Sequence, residues 1–257
     1  GLQIAGDWSD PGILNAEGTV SEPIIFTSVS GAAGGWKGIL FDHHSDTGVS
    51  SAMKYCVIEN AGQPNGYGIQ ASIHCRFTNS PSIDNCTISH SSGYEIYLYG
   101  SSPAISKNKI ISSSNSEILH LNQTSSPALT NNTITGEGNS YWLFCADNGS
   151  TPTIIGNQFS GRVEKAIRIG TMFQMSNNSF SGAKEMSIDV IGGDLNVSRI
   201  WRKQNGIARY RILSTLVVHG AGSSLTLEPG LTLLFASGTG LQIAGDWSDP
   251  GILNAEG

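Results

Sequence analysis

The 257-residue chain has no run of eighteen or more apolar residues, so no segment reads as a transmembrane helix. Charge is scarce. Only 13% of residues are charged, and 20 acidic against 14 basic side chains leave a net charge of −6. A broad basic groove for nucleic acid is excluded on that count. Cysteine is also scarce: four residues and no CxxC pair, so zinc-ribbon and thioredoxin-like spacings are absent. Amphipathic runs of ten or more residues with a 3.6-residue period are missing, which argues against helical bundles and helical solenoids. Disorder is excluded too, because hydrophobic residues reach 39% and recur regularly.

What the chain does have is glycine, 32 residues, together with Ser, Thr and Asn among β-branched residues. That mixture predicts an all-β protein with many turns. Two repeats organise it. The first is long: "GLQIAGDWSDPGILNAEG" occupies residues 1–18 and returns, identical, at 240–257. An offset of 239 residues predicts a tandem array, with one unit and the first piece of the next contained here.

The second repeat is short. Five hexads align: "IDNCTI" at 83, "ISKNKI" at 105, "LTNNTI" at 129, "IIGNQF" at 154 and "MSNNSF" at 175. Pro81, Pro103, Pro127 and Pro152 introduce the first four. A further hydrophobic position follows eight residues after each hexad: Ile96, Ile118, Trp142, Ile167 and Ile188. A period of about two dozen residues, with short strands between polar turns, is a β-solenoid coil. The fourth hexad slot reads Cys86, Asn108, Asn132, Asn157 and Asn178, and Cys56 of "MKYCVI" holds it one coil earlier. A buried amide at each coil predicts a hydrogen-bonded ladder, with Asn also suited to a left-handed corner and Cys continuing the column as a small apolar residue.

These hexads, with their Asn/Cys column, resemble the right-handed parallel β-helix proteins of the pectin-lyase-like superfamily, in particular their extracellular members. "STLVVHGAGSSLTLEPGLTLLFASGTGLQIAG" (214–245) looks like the opening coils of such a domain. "GILNAEGTVSEPIIFTSVSG", "GGWKGILF" (34–41) and "SSAMKYCVIENAG" (50–62) look like the coils that follow. The resemblance implies an all-β right-handed parallel β-helix of roughly ten coils of about 21–25 residues. It divides the chain into coils continuing from a preceding repeat start (1–197), an inter-repeat junction (198–209) and the opening coils of the next unit (210–257).

Members of that superfamily include lyases, hydrolases and epimerases acting on acidic polysaccharides. The paired aspartates and His-Gly of its hydrolases have no counterpart in the regular coils. "DHHSD" is the nearest match to the epimerases' "DPHD"-like motif and departs from it in order and spacing. Asp42, His43, His44 and Asp46 of that stretch are weak metal candidates, since alternate strand positions diverge. Glu95 and Glu117 each precede an inward position, and are expected to stack on the outer face and perturb one another. Tyr97 and Tyr99, with Tyr141 as a third candidate, are expected to be exposed and able to stack on sugars. Arg168, beside Arg162 and Lys165, is a candidate uronate contact. Asn85, Asn131 and Asn177 head Asn-x-Ser/Thr sequons in the third hexad slot, where an outward side chain could carry a glycan. Arg199, Arg202, Lys203, Arg209 and Arg211 form the densest basic stretch, an expected contact between units.

The sequence therefore predicts a structural building block of an extracellular or cell-surface fibre. It would be non-catalytic, need no cofactor, and pair end-to-end with itself. The alternative is a β-helix that binds or degrades polysaccharide, or an adhesin, with extracellular polysaccharide as its partner.

Overall fold

The computed structural model describes residues 1–5, 12–42, 50–138, 140–147, 149–244 and 250–256. Strands of three to six residues run in parallel, each pairing with the strand one coil away; no helix occurs among the described residues. A representative coil is Tyr94–Tyr99 in a long sheet, Ala104–Ser106 in a second and Lys109–Ser112 in a third. Among the described residues the long sheet has ten strands and the other two have seven each. About seven turns are therefore regular and three-sided, and the expected ten are reached only along the long sheet.

Register follows from burial, since a one-residue slip would turn every inward side chain outward. In the second sheet Met53, Ile83, Ile105, Leu129, Ile154 and Met175 stack inward. In the third, Ile58, Ile88, Ile110, Ile134, Phe159 and Phe180 do the same. The long sheet contributes Ile96, Leu119, Phe144, Ile167, Ile188 and Tyr210, all fully buried. The column expected from sequence placed Ile118 and Trp142 here. Both are buried, but Leu119 and Phe144 hold the register positions, because the loops entering the long sheet differ in length. Each buried side chain of this size contributes about 1.5–3 kcal/mol.

The polar column lies at the corner between the second and third sheets. The backbone N–H of Cys86 donates to Asn108 Oδ1 at 2.8 Å, Asn108 to Asn132 at 2.9 Å, Asn132 to Asn157 at 2.8 Å and Asn157 to Asn178 at 2.9 Å. Each Asn Nδ2 also donates to a backbone carbonyl in the neighbouring coil: Ile83, Ile105, Leu129 and Ile154. Cys56 N–H meets Cys86 Sγ at 3.4 Å, so the cysteines extend the column as poorer acceptors. Gln204, which no hexad identified, ends it by accepting from Asn178 N–H at 3.1 Å. The left-handed backbone belongs to the slot before the ladder residue rather than to the ladder residue itself. Tyr55, Asn85, Lys107, Asn131, Gly156 and Asn177 have φ between 48° and 69°. Asn131 and Asn177 are exposed and Asn85 half-buried at this corner.

Towards the C-terminal end the cross-section changes. The second and third sheets stop at Gln174–Ser176 and Ser179–Ser181. Two three-stranded sheets begin at Gly193–Leu195 and Arg199–Trp201, while the long sheet continues through Arg209–Ile212 and Thr232–Phe235. Within residues 198–209, Arg199–Trp201 forms a strand that pairs with Leu225–Leu227. A column of Phe173, Trp201 and Tyr210 fills the interior, with ring centroids 5.7 and 5.0 Å apart.

Replacing Asn132 by Leu removes the acceptor for Asn108 N–H and the donor to Ile105 carbonyl, leaving both buried groups unpaired. The expected loss is about 2–4 kcal/mol. It should appear as a lower urea midpoint with an unchanged slope, followed by far-ultraviolet circular dichroism.

Candidate functional site on the outer face of the long sheet

Outward positions of the long sheet form a column across the coils, because parallel register stacks equivalent residues. It reads Leu40, His74, Tyr97, His120, Cys145, Arg168, Asp189, Arg211 and Leu234. Aromatic and imidazole groups lie towards one end and charged groups towards the other.

The His74 ring meets Tyr97 edge-on at 5.2 Å, and Tyr97 stacks on His120 at 5.2 Å with 6° between planes. Tyr94 closes on both Tyr97 and His120. Burial lowers His74 to about 4 and pushes His120 below its ordinary value. Burial also raises the Cys145 thiol to about 12. His120 Nε2 lies 3.7 Å from Asp147 Oδ2, and its Nδ1 lies 4.0 Å from Glu117 Oε2. Arg168, half-buried, reaches Asp147 Oδ1 at 3.5 Å. Glu117, His120 and Cys145 together have a donor set able to hold a metal ion.

Beside this column, Tyr67, Ile69, His74, Arg76, Tyr97 and Tyr99 line a cleft of about 240 Å³. Arg76 is ion-paired to Asp42 at 2.9 Å and lies over the Tyr67 ring at 4.4 Å, while Tyr67 OH donates to Asp42 at 2.5 Å. Asp42 is therefore held in a buried ion pair; His43, His44 and Asp46 lie outside the described residues. On the charged side, buried Asp189 is paired with Arg211 and lies 3.7 Å from Lys165, and Glu185 joins both cations. Arg211, expected to serve a contact between units, is thus engaged within its own coil stack.

Two expectations are corrected. Tyr97 is only 7% exposed, enclosed by its imidazole neighbours, whereas Tyr99 is half-buried. Glu95 does not stack with Glu117 on the outer face. Its neighbour Ile96 pairs with Leu119, which sets the two carboxylates out of register. Glu95 is fully buried and accepts from Ser72 Oγ at 2.9 Å and Ser91 N–H at 3.0 Å. The sequence missed Cys145, Asp147 and His74 as members of this surface, because they come from separate coils and share no local motif. The repeating coil length was the only signal that could have aligned them.

Burial raises the Glu95 carboxyl from 4.5 to about 7. The folded protein then binds more protons than the unfolded chain between these values, so this group's contribution to stability falls as pH rises from about 4.5 to 7. The sum is about 3 kcal/mol. His74 acts oppositely: its lowered value makes stability rise between about 4 and 6.5. Comparing Glu95→Gln with the parent isolates the first effect. The stability difference between the two proteins, read from urea midpoints, should shift by about 3 kcal/mol in favour of the variant between pH 4.5 and pH 7.5.

The comparisons with known proteins agree with the coil geometry. The model of the right-handed β-helix region matches residues 37–200, which include the regular coils from Ile39–Asp42 to Ser179–Ser181. No curated protein and no solved structure matches the chain. A parallel solenoid with three-sided coils, matched over most of its length by that model, places this chain in the right-handed β-helix family.

Proposed function

We propose that this chain is a segment of an extracellular or cell-surface rod in which β-helix units of 239 residues follow one another end to end. The observation that carries the reading is the opposite seating of the two identical segments. At one end, Leu2, Gln3 and Ile4 pair forward with Ile39, Leu40 and Phe41. At the other, their equivalents Leu241, Gln242 and Ile243 pair backward with Leu216, Val217 and Val218. The second part of the segment behaves likewise: Asn15 and Ala16 pair with Ala52 and Met53, and Asn254 and Ala255 with Thr226 and Leu227.

One copy therefore uses one edge of each strand and the other copy uses the opposite edge. Superposing the copies gives an unbroken inward column of Leu216, Leu241 and Ile39, and another of Val218, Ile243 and Phe41. Exposure matches this. Ile4 is 8% exposed, while Ile243, on the last coil, is 42% exposed. Unpaired strand edges with apolar side chains need covering, and a following unit would cover them.

A chain of two complete units should be a single straight particle lengthened by about 50 Å over one unit. Small-angle scattering or negative-stain microscopy measures this. A bent pair of globules, or no lengthening, overturns the rod.

A second reading rests on the cleft lined by Tyr67 and Tyr99, whose accessible aromatic surface suits a polysaccharide chain lying along the coils. Retardation in polysaccharide-containing gels, lost in Tyr99→Ala, is its expected signature; a rod without this affinity leaves the structural role alone.

A further inference from the structure

We infer that Glu117, His120 and Cys145 form a binding site for one zinc ion on the outer face of the long sheet, with Asp147 orienting His120. One donor atom from each of the three residues lies within 4.8 Å of the others. Leu119–Asn122 and Trp142–Ala146 are adjacent parallel strands in which His120 pairs with Cys145, so the fold sets imidazole and thiol side by side. Glu117 enters from the turn just before the first of these strands. Thiolate, imidazole and carboxylate together favour zinc over calcium or magnesium, which take oxygen ligands.

The strongest observation concerns His120. Its Nδ1 is buried, has no hydrogen-bond partner and faces Glu117 Oε2 at 4.0 Å. Its Nε2 faces Asp147 Oδ2 at 3.7 Å. An imidazole with one nitrogen towards a carboxylate and the other left open is the arrangement that prepares histidine for a metal. A purely structural histidine would be expected to satisfy both nitrogens once buried. The ring is already fixed, stacked on Tyr97 and packed against Tyr94, so its orientation costs little further entropy on binding.

Charge is consistent with a divalent ion. Arg168 is paired with Asp147. Zinc binding releases the Cys145 thiol proton to solvent, and the Glu117 carboxylate and the thiolate so formed then balance two positive charges. Glu117 is a quarter exposed and His120 12% exposed at their side chains, so the ion reaches the site from solvent on that side. Three protein ligands leave a fourth tetrahedral position, open outward, for water or for an oxygen of a bound molecule.

The test uses the whole 257-residue chain without added histidines. Zinc affinity is measured by competition with a chromophoric chelator, and cobalt(II) serves as the spectroscopic probe. One equivalent should bind, with the visible bands of tetrahedral cobalt and a near-ultraviolet thiolate-to-cobalt band. Cys145→Ser should abolish the thiolate band, and Asp147→Asn should weaken zinc about 10–100-fold. If Cys145→Ser fails to fold, Glu117→Gln, altering a partly exposed side chain, should weaken zinc and shift the cobalt bands. Absence of stoichiometric binding overturns the site. So does a thiolate band that survives Cys145→Ser, or an affinity indifferent to Glu117→Gln.

Discussion

A parallel strand can satisfy its backbone only if another strand lies one spacing away, and in this protein that strand always comes from the next coil. Everything else depends on keeping the spacing constant through the corners. The amide ladder from Asn108 to Asn178 does this: each side chain donates from Nδ2 to a carbonyl of the preceding coil, from Asn132 onward its Oδ1 accepts the N–H of that coil's Asn, and up to Asn157 its Nδ2 also meets the Oδ1 of the next Asn. Because these bonds are buried, an error at one corner leaves unpaired groups in two coils. The left-handed residue just before each ladder position makes the sharp corner, and Gly156 fits where Asn131 Oδ1 comes within 2.4 Å of where a Cβ would be.

The constant spacing also produces the outer surface. Residues far apart in sequence stand side by side at one strand separation, and His74, Tyr97, His120 and Cys145 become a continuous strip. The strip is enclosed by its own aromatic rings, which displaces water from the imidazoles and lowers their proton affinity. Further along the same column, cations face Asp189 and Glu185. One sheet face thus changes from dry and aromatic to ionic within a few coils.

How far this could be read in advance depended on the loops. The second and third sheets are joined by a corner of fixed length, so "LTNNTI" and its equivalents carried their inward positions, the ladder and the coil period in one pattern. Entry into the long sheet crosses turns of varying length. A fixed count of eight residues therefore landed on Ile118 and Trp142 instead of Leu119 and Phe144. Glu95 misled for a different reason. Alternation marked it as outward, but Ser72 and Ser91 give it hydrogen bonds that let a carboxyl be buried. Cys145 and Asp147 lie one coil from His120, and no motif of adjacent residues could join them.

The ladder's termination at Gln204 bears on how such a solenoid carries load. Its interstrand hydrogen bonds run along the axis, so a pull on the two ends is borne by the coils in series, and the weakest interface yields first. The described coils share the fewest strand pairs where the second and third sheets stop and the longer Gln204 ends the Asn ladder, so that interface is the one expected to yield. The stacked rings of Phe173, Trp201 and Tyr210 lie beside it. Under tension, the seam would behave as a built-in fuse, and the regular coils on its N-terminal side would part later.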